Sequence, residues 1–176
     1  QRQAPLQRLA TPLLAKLVDL TRHNAHLAVM HGRDVLYVVE ERAPGRPRLV
    51  TDVGVRLPAH LTASGLAMLA KLAAAQVRAL YPQASLLVRR EDEGPRSVLA
   101  LRRELAAVRA RGYAVERGTV TAGLGSVADA VLDHTGHPVA AVAVTYDLAE
   151  VDDGQRDELA VRVRRVAATV TARLRG

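Results

Sequence analysis

The 176-residue chain contains no cysteine, no phenylalanine and no tryptophan. Without cysteine there can be no disulfide framework, no thiolate metal site and no cysteine nucleophile. The aromatic rings besides histidine are Tyr37, Tyr81, Tyr113 and Tyr146. The core must therefore be packed from leucine, valine and alanine, and the stacking platform of a single-strand nucleic-acid binder is missing. Lysine is scarce as well: Lys16 and Lys71 stand alone, and arginine supplies the remainder of a +7 net charge. The arginines are scattered instead of forming a basic arm, so the charge reads as a general surface property and not as a docking patch. The longest uncharged run, residues 57–70, falls short of the ~20 residues of a membrane-spanning helix. No signal peptide is visible. What remains, 49% apolar and 24% charged, is ordinary for one soluble domain with its own core, and the cytoplasm is the expected compartment. The chain begins at Gln1, which predicts that an N-terminal portion precedes it.

The periodicity of apolar residues outlines the elements. Thr11 followed by Pro12 has the form of an N-cap and a first helical residue. Leu13, Leu14, Leu17, Val18 and Leu20 continue at helical spacing to about Arg22, and Leu6 and Leu9 can extend that helix backwards. From Ala25 the period falls to two, and HLAVMHGRDVLYVVEER predicts two strands around a turn at 31–34. Proline and glycine make residues 43–56 a loop with a short strand near 49–52. RLPAHLTASGLAMLAKL, residues 56–72, reads as a helix, followed by a shorter one ending near Tyr81-Pro82. Residues 97–111 form an amphipathic helix closed by Gly112. Strands are expected at 113–119, 126–133 and 138–146, the last two joined by a turn at 134–137. A final helix spans 153–174 with Leu159, Val163, Val166, Val170 and Leu174 as its apolar stripe. Helices mixed with hairpins, and few βαβ units, predict an α+β fold around an antiparallel sheet.

Two features suggest where a ligand could sit. Alternation places Ser126, Ala128 and Ala130 on one face of a central strand, and Ala141, Ala143 and Thr145 on one face of its neighbour. A sheet face of small side chains is covered either by a closely packed helix or by a ligand. The expected helix at 56–72 begins without any acidic residue from Val53 to Arg90, and Thr62 and Ser64 place hydroxyls beside its first amides. That end suits a carboxylate or another small anion; the other reading is that Thr62 simply caps the helix. Catalytic patterns are weak. Ser64-Gly65 lacks the GxSxG elbow, and GLGS at 123–126 lacks the lysine of a phosphate loop. His134 and His137 have no third ligand nearby, so no metal and no cofactor is expected. His60 can be a pocket donor, a metal ligand or a cap, with the pocket rim preferred. Asp129 alternates onto the face of Val127 and Val131, as an edge or interface group and not a general base.

In order and spacing, the motifs HLAVMHGRDVLYVVE, LPAHLTASGLAMLA, LRRELAAVRARGYAVE and GLGSVADAVLDHTGHPVAAVAV resemble the C-terminal effector-binding domain of IclR-type bacterial transcription regulators, over nearly the whole chain. The resemblance implies a GAF-like α+β fold with an antiparallel sheet flanked by helices. It also implies a connecting helix at 1–22, an effector domain at 23–176, and a winged helix-turn-helix ahead of them that binds operator DNA. The implied partners are a small-molecule effector, frequently an organic or aromatic acid, and further copies of the chain in a homodimer or homotetramer; no membrane is involved. The pocket positions carried over are Leu57, His60, Ala63, Ser64, Ser126, Ala143 and Thr145. The chain departs from the family pattern at Leu66, where lysine is usual, at Ser126, where cysteine is frequent, and at Asp129 and Ala130, where a small residue and proline are typical. The expected activity is sensing and not catalysis. The alternatives are a small enzyme using the same cavity, or an oligomerisation module with a filled core.

Overall fold

A computed structural model of the chain describes residues 3–47 and 52–176. The strand expected near 49–52 falls outside them except for Asp52. The first helix, α1, covers Gln3–Thr21 and runs through Pro12. The expected cap at Thr11-Pro12 is thereby corrected: the Thr11 hydroxyl donates back to the Gln7 carbonyl at 2.7 Å, inside the helix. Tertiary packing overrides the proline, because Leu6 and Ala10 before it and Leu14, Leu17 and Val18 after it are all buried on one stripe.

The hairpin follows as β1 (Asn24–His31) and β2 (Asp34–Glu41). Its register slips between Leu27 and Ala28, so Val38 is an extra residue that bends β2. Four strands complete the sheet: β3 (Arg56–Pro58), β4 (Ala114–Arg117), β5 (Leu124–Leu132) and β6 (Pro138–Asp147). The order is β3-β2-β1-β6-β5-β4, with every neighbouring pair antiparallel. The remaining helices are α2 (Ala63–Leu69), α3 (Ala74–Leu80), α4 (Val98–Arg111) and α5 (Asp153–Arg175).

Strand alternation sorts the core into two layers. Leu27, Val29, Val127, Val131, Val142 and Val144 face α1 and α5. Ala28, Ala128, Ala130, Ala141 and Ala143 face α2, which lies directly on them, with α4 packed against α2 and β4. Alanine on the second face is what lets a helix approach this closely. β4 pairs with β5 only as far as Ala128. Beyond that point side chains take up the exposed edge of β5: the Ala130 N–H donates to its neighbour's Asp129 Oδ1 at 2.9 Å, and the Leu132 N–H to the Thr171 hydroxyl of α5 at 3.1 Å. Proline has no N–H to leave unpaired, so Ala130 needs the carboxylate before it. Burial raises the Asp129 pKa, while Lys71 and Arg164 pull it down.

The single helix expected over 56–72 is also corrected. Leu57 is a sheet residue opposite Val35. Ala59–Leu61 form one 3-10 turn, and Thr62 is extended at φ −107°, ψ 149° before α2 starts. The turn folds back on the helix so tightly that a Cβ on Gly65 would come within 2.5 Å of the Ala59 backbone. Among the described residues no helix is long and apolar enough to cross a membrane.

Candidate functional site

The small-residue face has two coverings. Over its alanines the helix α2 fills the space. Past the start of α2, where the same rows carry Ser126, Thr145 and His26, a cavity of about 20 Å³ remains, enough for about one water molecule. Its floor is the sheet, with His26, Tyr37, Glu116, Ser126 and Thr145. Its roof is the corner Thr62, Ala63 and Ser64, and one side is closed by Val120, Thr121 and Leu124 from the β4–β5 connection.

The floor is a row of polar groups on four adjacent strands, hydrogen-bonded from Ser126 to His26. Glu116 is paired with Ser126, and Ser126 with Thr145, directly across the sheet. The Ser126 and Thr145 hydroxyls are 2.8 Å apart, and Thr145 Oγ1 lies 2.9 Å from His26 Nε2. Glu116 accepts from the Thr119 N–H at 2.9 Å. Burial pushes its carboxyl pKa up, and the hydrogen bond from Thr119 pulls it back. His26 is fully buried, and desolvation lowers its pKa to about 4, so the ring is neutral. Tyr37 packs edge-to-face on His26 with centroids 5.1 Å apart. Burial raises the pKa of its hydroxyl, and Thr62 nearby pulls it the other way.

On the roof, Thr62 caps α2 by accepting from the Gly65 N–H at 2.8 Å, and its own proton goes to the Ala59 carbonyl. Two buried polar atoms of lining residues have no partner: Ser64 Oγ and His26 Nδ1. Buried polar groups are nearly always satisfied, and these two atoms are left without a protein partner among the described residues. The lining contains no lysine or arginine, and Glu116 is its one carboxyl group.

Of the positions expected from the sequence, the structure brings Ala63, Ser64, Ser126 and Thr145 together at the cavity. Ala143 is buried beneath α2, opposite Ala128. Leu57 is buried in the same core, on β3 opposite Val35. His60 turns away: its Nε2–H donates to the Val88 carbonyl at 2.6 Å, and its ring stands edge-to-face on Tyr81. Burial lowers the His60 pKa and raises that of Tyr81 to about 12. His26, Tyr37, Glu116 and the 120–124 segment escaped the sequence reading of the site. Alternation along HLAVMH does put His26 on the face of Ala28, and that was the available signal. Among the described residues no cluster of three or more histidine, aspartate or glutamate side chains could hold a metal. In the β5–β6 turn, Asp133 binds the backbone N–H groups of Thr135 and His137 and the Thr135 hydroxyl, which is turn chemistry.

The family model described as bacterial transcriptional regulator IclR C-terminal matches residues 2–172. The chain belongs to the IclR C-terminal family. It is 30% identical to the Pca regulon regulatory protein of Pseudomonas putida, over 88% of this chain and 53% of that protein. It is 28% identical to the acetate operon repressor of Salmonella typhimurium, over 91% of this chain and 59% of the repressor. The chain thus spans a little over half the length of these curated relatives. The crystal structure of the Agobacterium tumefaciens repressor BlcR superposes with a TM-score of 0.84 at 26% identity, covering 96% of this chain and 66% of that one. An IclR homologue from Microbacterium hydrocarbonoxydans, complexed with 4-hydroxybenzoate, has the same fold, with a TM-score of 0.85 at 23% identity over 97% of this chain and 68% of its own. These relatives are named as regulators and not as enzymes.

Proposed function

We propose that this IclR-family domain is the effector sensor of a DNA-binding regulator and that the cavity between α2 and the β1–β6–β5–β4 strands is its effector site. The observation that carries the reading is that two residues lining one cavity, Ser64 and His26, each hold a buried polar atom, Oγ and Nδ1, without a protein partner. Ala63, Ser64, Ser126 and Thr145 contact the effector. Leu57, His60 and Ala143 hold the walls from behind. The lining has no cation, so a carboxylate has to be held by neutral donors such as Ser64 and Thr121. A hydroxylated organic acid fits such a wall, and the ligand of the Microbacterium homologue is of that kind.

A cavity of about 20 Å³ is too small for such a molecule. Binding therefore selects a wider arrangement, and the free-energy difference between closed and open forms is what the effector shifts. Residues 1–22 pass that change to a winged helix-turn-helix on operator DNA in the cytoplasm, within a homodimer or homotetramer. A coupling of ~1–3 kcal/mol changes operator affinity about 5- to 150-fold. The test is a thermal-shift screen of small organic acids, with and without hydroxyl groups, against the wild type and Ser126→Leu. At least one compound is expected to raise the wild-type melting temperature and leave the filled variant unmoved. A compound that stabilises both equally binds elsewhere and defeats the assignment.

A further inference from the structure

For an effector to enter, one wall of the cavity must move, and the hydrogen bonds show which one can. The floor is held by strand pairing along β1, β6, β5 and β4. The roof is held by the Ala59 N–H on the Arg33 carbonyl at 2.8 Å and by the tight packing of Gly65 on the turn. The remaining wall is the β4–β5 connection, residues 118–123, which brings Val120 and Thr121 to the cavity and belongs to neither sheet nor helix. It begins at Gly118, φ 74°, and ends at Gly123, φ 84°. A Cβ on either glycine would meet nothing within 4 Å, so packing does not require them; the left-handed backbone does. The Gly118 N–H donates to the Leu124 carbonyl at 2.8 Å and closes the base of the loop.

Three hydrogen bonds hold this strap down. The Thr119 N–H donates to Glu116 at 2.9 Å, beside the first glycine. The Thr119 hydroxyl donates to the Leu61 carbonyl of the roof turn at 2.7 Å. From outside the lining, the Arg90 Nε–H donates to the Val120 carbonyl at 2.6 Å. The roof turn is itself tied to the chain segment before Arg90, through His60 and the Val88 carbonyl. Turn, segment and strap form a triangle with a hydrogen bond on each side.

We propose that residues 118–123 are a lid on the cavity, hinged at Gly118 and Gly123 and latched by Thr119 to Leu61 and by Arg90 to Val120. Opening it breaks the three bonds above and leaves every strand pair, the Thr62 cap and the Gly65 contact intact. Moving any other wall breaks sheet pairing or the packing of turn on helix. Arg90 is then a positioning residue: it governs access to the cavity without lining it. That the lid admits an effector rests on the cavity being the effector site; the lid itself does not.

The chain has no cysteine, so Ser126→Cys places a single thiol on the buried cavity floor. Its reaction with methyl methanethiosulfonate, followed by mass spectrometry, reads access without any effector. Thr119→Val and Arg90→Met, each combined with Ser126→Cys, are expected to speed labelling about 3- to 10-fold, the effect of one hydrogen bond. Thr62→Ala, which weakens the roof instead, is expected to leave the rate unchanged. A rate unmoved by both latch variants, or raised as much by Thr62→Ala, overturns the lid, and so does a thiol that no variant exposes. The wild type supplies a second measurement. In hydrogen exchange the Thr119 and Leu124 amides are expected to exchange together, roughly 10-fold or more faster than the paired amides of β5 and β6. Exchange as slow as in those strands overturns the proposal even if no variant folds. A thermal-shift screen without any stabilising acid would remove the effector and leave the lid standing.

Discussion

Adding one methyl group at Gly65 should unfold the site's roof, and adding the same group at Gly154 should strengthen the protein. At Gly65 a Cβ would sit within 2.5 Å of the Cα and carbonyl carbon of Ala59, and closer still to the carbonyl oxygen. Those are backbone atoms of the 3-10 turn, which is anchored to the hairpin by the Ala59 N–H donating to the Arg33 carbonyl at 2.8 Å. No side-chain rotation can relieve the clash. Either the turn leaves the sheet or α2 leaves the turn. Overpacking against yielding side chains costs about 1–3 kcal/mol, and a rigid backbone belongs at or above the top of that range. At about 2–4 °C per kcal/mol for a chain of this size, Gly65→Ala should lower the melting temperature by roughly 6–12 °C or prevent folding. Gly154 lies in the first turn of α5 with nothing nearer than 3.5 Å to a built Cβ and no positive φ. Gly154→Ala reduces the freedom of the unfolded chain and should raise stability by about 0.4–1 kcal/mol, or roughly 1–4 °C. Differential scanning calorimetry of the two variants beside the wild type is the assay. A Gly65→Ala protein melting within about 2 °C of wild type would refute the close approach of turn and helix, and with it the fixed placement of Thr62, Ala63 and Ser64 over the cavity.

Two hydroxyls on that corner should differ sharply. Thr62→Ala loses both the cap on Gly65 and the bond to Ala59, a cost of about 1–2 kcal/mol in urea denaturation, whereas Ser64→Ala removes an oxygen with no partner and should be neutral or slightly stabilising. Ser126→Leu has only about 20 Å³ to expand into and also breaks the polar row, so it should cost about 1–3 kcal/mol for overpacking plus about 1 kcal/mol for the lost hydrogen bond. His26 gives a pH signature. Its folded pKa is about 4 against 6.5 unfolded. Above 6.5 it is neutral in both states and contributes no pH dependence. As pH falls below 6.5 the unfolded chain takes up a proton that the folded one refuses, so stability falls until about pH 4 and then levels. The 2.5-unit gap corresponds to roughly 3 kcal/mol. Denaturation at pH 7 and pH 4.5 should show a drop for wild type that is smaller by that order in His26→Gln, and an equal drop in both proteins would remove His26 as its source.

Much of the fold is legible in the sequence because alternation and helical spacing are properties of the chain itself. The hairpin at 24–41, the two central strands, α4 with its Ser97 cap and Gly112 in the left-handed region at φ 94°, and α5 follow from period, caps and turns. The misreadings share one cause. Local propensity breaks a helix at Pro12 and continues one over 56–72, and in both places long-range contacts outweigh it. A buried stripe carries α1 through its proline, and pairing with Val35 draws Leu57 into the sheet. Neither contact can be seen from neighbours along the chain.

The site divides along the same line. Ser126 and Thr145 are legible because they share a face with the alanines, and Ser64 because it starts a helix. On that face the helix α2 covers the alanines and a small cavity lies over the hydroxyls. Glu116 completes the lining of the cavity, and in sequence it is one acidic residue after a glycine-ended helix, with nothing local to mark it as buried. Its meaning comes from register. Pairing of β4 with β5 places it opposite Ser126, pairing of β5 with β6 places Ser126 opposite Thr145, and Thr145 in turn reaches His26. A one-residue slip in either pairing would send the carboxylate to the α5 face and break the row. Strand register is therefore the quantity on which both the chemistry and the shape of the cavity depend, and it is fixed by the valines on the opposite face, Val127, Val142 and Val144, which cannot be exposed without losing the core they share with α1 and α5.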